Sequence, residues 1–165
     1  MTTDTRLLYR LAESAGLVLK ASGLMLATAE SCTGGWVGEM VTAVPGSSQW
    51  YERGFITYTN LAKQEMLGVS AATLAQFGAV SEQTAQEMAT GALQHSHAQI
   101  AIAISGIAGP GGATPLKPVG TVCMAWALNG VCVRSETRHF VGDRQEVREQ
   151  AVHAALTGVL EILKN

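Results

Sequence analysis

The chain has 165 residues, 47% of them hydrophobic and 15% charged, with a net charge of −2, a length that supports one well-buried domain and is short for two. The lack of a Lys/Arg cluster leaves no electrostatic footprint for nucleic acid or an anionic membrane, and no apolar run approaches a membrane span. Met1-Thr2-Thr3-Asp4-Thr5-Arg6 lacks the pattern of a signal peptide, so a soluble, cytoplasmic protein is expected.

Leu7, Leu8, Leu11, Ala15, Val18 and Leu19 recur at helical spacing and predict an amphipathic helix over 4–21, ending near Ser22-Gly23. A strand over 24–28 follows. Next come the turn Ala29-Glu30-Ser31-Cys32-Thr33-Gly34-Gly35 and a helix to about Val44 carrying Trp36, Val37, Met40 and Val41. At a strand-to-helix junction the first helical N–H groups have no partners. Ser31 or Thr33 can cap them, and Gly34 and Gly35 leave the backbone open to a ligand. A nucleophile and an anion hole can share such a turn; a simple helix cap fits the same residues.

Pro45-Gly46 breaks the chain, and Ser47 or Ser48 can cap a short helical turn through Trp50 and Tyr51. A second strand is expected from Gly54 to Thr59, then a helix from Leu61 to about Leu67 with Asn60 as its N-cap. Another helix runs from Ser81 to about His95, with Glu82 and Gln83 in its first turn.

Gln99-Ile100-Ala101-Ile102-Ala103-Ile104 alternates β-branched and small residues, as a buried strand with a helix packed closely on one side would. The glycine-rich stretch from Ser105 to Gly112 can cradle a ligand or merely connect. Two apolar runs, Val119 to Leu128 and Val131 to Phe140, flank Asn129-Gly130 and predict a hairpin. With Leu128 facing Val131, Cys132 pairs with Ala127, and Cys123 lies four residues further along, roughly 13 Å away at strand rise. That register excludes a bridge between them. Cys32, Cys123 and Cys132 are odd in number and lack metal-ligand spacing, which fits reduced thiols. A final helix spans 143–163. Helices alternating with strands, closed by a hairpin, predict an α/β fold: a three-layer α/β/α sandwich with a mixed sheet that includes a C-terminal antiparallel hairpin.

Tyr58 ends the second strand, and Lys63 falls in the first turn of the helix after Asn60. A cation there opposes the helix dipole, which favours the neutral amine. A serine hydrolase of the Ser/Lys kind needs such a base, and Tyr58 could steer the proton; an exposed lysine with its charge in water is the alternative. In Gly142-Asp143-Arg144, Asp143 is placed to cap the last helix and Arg144 stands beside its positive end, a site suited to phosphate. His95 and His97 read as surface partners of a helix end, and no group of His, Cys and carboxylates suggests a metal site.

Seven motifs occur in order: Ala-Glu-Ser-Cys-Thr-Gly-Gly at 29–35, Pro-Gly-Ser-Ser at 45–48, Gly-x-x-Thr-Tyr-x-Asn-x-x-Lys at 54–63, Gly-Ala-Val-Ser-Glu at 78–82, Ser-Gly-Ile-Ala-Gly-Pro at 105–110, Lys-Pro-Val-Gly-Thr-Val at 117–122 and Gly-Asp-Arg at 142–144. Over nearly its whole length the chain thereby resembles the CinA C-terminal domain family. The resemblance implies a single amidohydrolase domain that hydrolyses the carboxamide of nicotinamide mononucleotide to nicotinic acid mononucleotide and ammonia, in pyridine nucleotide salvage. It implies no metal and no cofactor. It makes Ser31 the nucleophile, Lys63 its base and Tyr58 an assisting group. Glu30, Thr33, Gly34, Ser48, Asn60, Ser105, Gly106 and Arg144 are the implied substrate-binding set, with Thr33, Gly34 and the Ser105-Gly106 turn near the substrate or oxyanion and Arg144 near the phosphate. The larger N-terminal domain of full-length relatives, with its pyrophosphatase activity, is not expected here.

Other readings remain at this stage. The family loop reads Gly-Pro-x-Gly-Gly, and this chain carries Ala113 at the second glycine of the pair, which would strain a position of positive φ. A catalytically silent nucleotide-binding paralogue is therefore the second hypothesis, and a thiol hydrolase using Cys32 the third. Ser48 is the other candidate nucleophile. Small enzymes with a wide sheet often form symmetric homodimers, though the sequence leaves the oligomeric state open.

Overall fold

The computed structural model describes residues 5–164. Helix α1 (Thr5–Ser22) buries Leu8, Ala12, Ala15 and Leu19; its expected start at residue 4 lies outside the described residues. Gly23 N–H closes on Lys20 O at 3.2 Å and Leu24 N–H on Leu19 O at 3.0 Å, so both residues finish the helix. Strand β1 (Leu26–Glu30) consequently lies two residues later than expected. Its polar residues Thr28 and Glu30 are buried because partners distant in the chain satisfy them: the Thr28 hydroxyl meets Tyr51 OH at 2.7 Å, and α2 (Trp36–Thr42) donates to Glu30.

A 3₁₀ turn (Ser47–Gln49), shorter than expected, leads into β2 (Tyr51–Ile56), which begins three residues before the predicted strand and ends at Ile56. Helix α3 (Asn60–Leu67) takes Thr59, not Asn60, as its N-cap: Thr59 Oγ1 accepts from Ala62 N–H at 3.0 Å, and Asn60 is the first helical residue. Helix α4 (Ala71–Phe77) was not anticipated; Ser70 caps it. Helix α5 (Glu82–Gln94), capped by Ser81, β3 (Ile100–Gly106), β4 (Thr121–Leu128), β5 (Val131–His139) and α6 (Arg144–Leu163) complete the chain. Asp143 and Glu146 form a capping box on α6.

The strands order β2-β1-β3-β4-β5, parallel among the first three and antiparallel from β3 to β5, which makes the sheet mixed as the sequence predicts. Asn129 at φ 52° and Gly130 at φ 89° turn the hairpin, and Leu128 faces Val131 as expected. An irregularity between Trp126 and Ala127 then shifts the register, so that Cys123 faces Thr137; all three cysteines are free thiols.

The alternation along β3 sorts the two faces of the sheet. Ile100, Ile102 and Ile104 pack with Leu8, Leu19, Val152 and Leu156 under α1, α2 and α6. Ala101 and Ala103 face Met88, Ala89 and Leu67 under α3 and α5. Small residues on that second face let α5 lie close, and Gly91 carries the helix past α3: a Cβ there would sit 2.0 Å from Leu67 O. The parallel strands β1 and β2 therefore deliver their C-terminal ends, and the start of α3, to one edge of the sheet, where ligand sites of α/β folds occur. Among the described residues no helix is long and apolar enough to cross a membrane.

Candidate active site

Ser31 follows directly on β1, its N–H bonded to Ile104 O of β3 at 3.0 Å, so two neighbouring strands fix its backbone. The chain then turns through Gly34 (φ 59°) and Gly35 (φ 101°) into α2. Neither Ser31 nor Thr33 caps this helix; Gly35 occupies the N-cap position without a side-chain bond. The cap comes instead from Glu30, a residue only 2% exposed. It accepts from Thr33 Oγ1 at 2.7 Å, Val37 N–H at 2.9 Å and Gly38 N–H at 3.1 Å. An anion at the positive end of α2 is favourable, and three donors offset its loss of water.

Lys63 is the fourth residue of α3, one position later than an Asn60 cap would give, and only 1% of it is exposed. Helical side chains point back towards the N-terminus, so its stem runs past the helix start. There Nζ lies 3.0 Å from Ser31 Oγ, 2.9 Å from Thr57 O and 3.4 Å from Tyr58 O. Burial pushes the Lys63 ammonium below the ordinary lysine value of 10.5. A neutral amine has two N–H donors and one lone pair. Two peptide carbonyls and one hydroxyl match that inventory, with the lone pair left for the Ser31 proton.

Ser31, Cys32, Tyr58, Lys63, Ala79, Val80, Ser105, Gly106, Ala108 and Arg144 enclose a cavity of about 240 Å³. Ser105 donates its hydroxyl to Ala79 O at 2.7 Å, tying the end of β3 to the segment before α5. Tyr58 is 61% exposed, and its hydroxyl accepts from Arg144 Nη2 at 3.2 Å, with no bond to Lys63 from that hydroxyl. Arg144 Nη1 donates to Gly109 O at 2.8 Å, so the guanidinium bridges the rim between the loop after β2 and the loop after β3.

Six of the sequence-derived residues thus share one cavity: Ser31, Lys63, Tyr58, Ser105, Gly106 and Arg144. Glu30, Thr33 and Gly34 belong to the same turn but are not among the residues that line the cavity, and Gly34 N–H is engaged with Ser31 O at 3.0 Å. Asn60 is exposed on α3 without lining the cavity. Ser48 is exposed in the 3₁₀ turn before β2, at the opposite edge of the sheet, because β1 and β2 run parallel and a strand of five residues spans roughly 16 Å. Cys32 borders the cavity, but burial pushes its thiol up to about 11, the nearby Arg148 only partly opposing it, so it stays protonated near neutral pH. Ala113 has no positive φ, so the strain expected of alanine there does not arise.

Three contributors were not anticipated. Ala79 and Val80 also line the cavity. Arg148 of α6 reaches the turn from behind, donating from Nε to Cys32 O at 3.0 Å. The capping signal at Asp143 predicted the helix but not this contact, which spans 116 residues.

Residues 8–163 match the family model of the CinA C-terminal domain. The chain is 52% identical over 154 residues to nicotinamide-nucleotide amidohydrolase PncC of Escherichia coli (strain K12), covering 93% of each protein. It is 49% identical over 152 residues to the protein of that name from Pseudomonas putida, covering 92% of this chain and 94% of that one. The crystal structure of competence/damage inducible protein CihA from Agrobacterium tumefaciens superposes with a TM-score of 0.92 at 43% identity, covering 100% of this chain and 99% of the other.

Proposed function

The chain belongs to the CinA C-terminal domain family, and from that premise we propose that it is a nicotinamide-nucleotide amidohydrolase working through a Ser31–Lys63 pair. The observation that carries this reading is the buried amine of Lys63, 3.0 Å from Ser31 Oγ, whose other partners are peptide carbonyls of Thr57 and Tyr58. In the proposed reaction Ser31 Oγ attacks the carboxamide carbon as its proton passes to Lys63 Nζ. The protonated amine then gives that proton to the departing nitrogen, releasing ammonia and leaving an ester on Ser31. Water, deprotonated by the regenerated amine, hydrolyses the ester to the carboxylate.

The negative charge on the attacked oxygen needs donors in the turn. Gly34 N–H is engaged with Ser31 O, so we assign that role to the N–H groups of Cys32 and Thr33. The substrate phosphate is assigned to Arg144, the first residue of the 20-residue helix α6, where guanidinium and helix N-terminus favour an anion together. On binding, phosphate would compete with Tyr58 OH and Gly109 O for that guanidinium. Tyr58 accordingly serves the phosphate end of the site, and its carbonyl, not its hydroxyl, serves Lys63.

Steady-state release of ammonia from nicotinamide mononucleotide tests the reading. Turnover with the mononucleotide, and little with free nicotinamide, is the expected result. Saturable binding of the mononucleotide without ammonia would identify a silent binding protein instead.

A further inference from the structure

Arg148 takes no part in the cavity, yet it holds the turn that carries Ser31. Its Nε donates to Cys32 O at 3.0 Å and its Nη2 to Thr33 O at 3.3 Å, while Nη1 is steadied by Gln145 Oε1 at 3.2 Å. The guanidinium also lies over the Trp36 ring, 5.3 Å from its centre. The Glu30 carboxylate takes the Thr33 hydroxyl and the Val37 and Gly38 N–H groups of α2. We propose that Arg148 is a positioning residue for hydrolysis, clamping the Cys32–Thr33 peptide against Glu30 so that Ser31 and the oxyanion donors keep their reactive geometry. The inference rests on the assignment of Ser31 as nucleophile.

The physical case begins with the softness of the turn. Gly34 and Gly35 give it the left-handed conformations it needs and the greatest backbone freedom to lose. Its backbone is held internally by Gly34 N–H to Ser31 O and Trp36 N–H to Thr33 O, both 3.0 Å. A trans peptide sets its N–H opposite its C=O, so anchoring Cys32 O to α6 turns Thr33 N–H away from α6. A cation on the carbonyl also polarises that peptide and strengthens its N–H as a donor. One planar fork donates to two successive carbonyls from two separate nitrogens, Nε and Nη2, whereas an ammonium would have to serve both from a single atom at the end of a differently shaped stem. Displacement of a reacting group by about 1 Å costs roughly 100-fold in rate, which sets the scale of the expected loss.

The test uses Arg148→Gln and Arg148→Lys in the full chain, with two readouts: ammonia release from nicotinamide mononucleotide, and labelling of Ser31 by an aryl fluorophosphonate followed by intact mass. Arg148→Gln is expected to lower kcat about 100-fold with KM within about threefold of wild type, and to slow labelling by a similar factor. Arg148→Lys, which retains the charge, is expected to lose most of that factor and carries the test if the glutamine variant does not fold. Millimolar guanidinium should restore part of the glutamine variant's rate, a response that a general loss of stability would not give. Folded variants with wild-type kcat and labelling, or a loss confined to KM, would overturn the proposal. If the wild type releases no ammonia yet labels at Ser31, the substrate assignment fails and the labelling ratio still decides on Arg148. A wild type inert to both reagents would overturn the nucleophile assignment and this inference with it.

Discussion

The turn after β1 has two sides of different character. On the cavity side, Lys63 is buried with only neutral partners, a hydroxyl and two peptide carbonyls, and burial lowers its affinity for a proton. At the rim of that side, the exposed Arg144 makes two bonds, to Gly109 O and to the Tyr58 hydroxyl. Behind the turn each charge has several neutral hydrogen-bond partners: Glu30 accepts three hydrogen bonds and Arg148 donates three. Charged residues that the fold gathers around one turn therefore divide by which way they face. Those facing the cavity are left in states that a substrate or a proton can change, and those facing the scaffold are satisfied and hold the others in place.

Substitutions on the cavity side should give the largest effects on turnover. Ser31→Ala is expected to lower kcat on the order of 10⁴-fold or more while mononucleotide binding, measured by calorimetry, stays near wild type. Lys63→Arg should match it, because guanidinium remains protonated and cannot act as a base. Arg144→Ala should raise KM roughly 10- to 100-fold with little change in kcat, the loss of one charge-assisted contact made in ground and transition states alike. Equal KM values for this variant and the wild type would detach Arg144 from the phosphate.

Behind the turn the effect should move from rate to stability. Glu30→Gln is expected to destabilise the fold by about 2 kcal/mol in denaturant titration, since a carboxylate with three donors is replaced by an amide that turns an N–H₂ group towards some of them. The smallest effect belongs to Cys32→Ala, which should change kcat by less than about threefold, and iodoacetamide should modify Cys32 slowly at neutral pH because its thiol is pushed up to about 11. A Cys32→Ala variant without activity would move the nucleophile from the hydroxyl to the thiol.

Local chemistry was legible where neighbours in the chain decide it. Asn129-Gly130 announced the hairpin, Asp143 the start of α6, and the Ile/Ala alternation of β3 the two faces of the sheet. Choices between adjacent equivalents were not legible. Thr59 and Asn60 can both cap a helix, and only the bond to Ala62 N–H selects the threonine. Nor were contacts across the sheet: burial of Thr28 and Glu30 depends on Tyr51 and α2, which is why β1 was placed two residues early. Within the site, proximity of Lys63 to Ser31 followed from motif and helix position, whereas the pairing of Tyr58 OH with Arg144, 86 residues away, and the grip of Arg148 on peptide oxygens leave no trace in side-chain pattern. Ser48 illustrates the converse: a motif serine that the parallel pairing of β1 and β2 carries to the far edge of the sheet.

The pH dependence of kcat/KM for ammonia release from nicotinamide mononucleotide tests the central claim most directly. Lys63 must be unprotonated to accept the Ser31 proton, so activity should rise with pH through the pKa of Lys63, and burial places that limb below the ordinary lysine value of 10.5. The account predicts such an ascending limb in the wild type and its loss, together with nearly all activity, in Lys63→Met. An active Lys63→Met enzyme with the same ascending limb would contradict it.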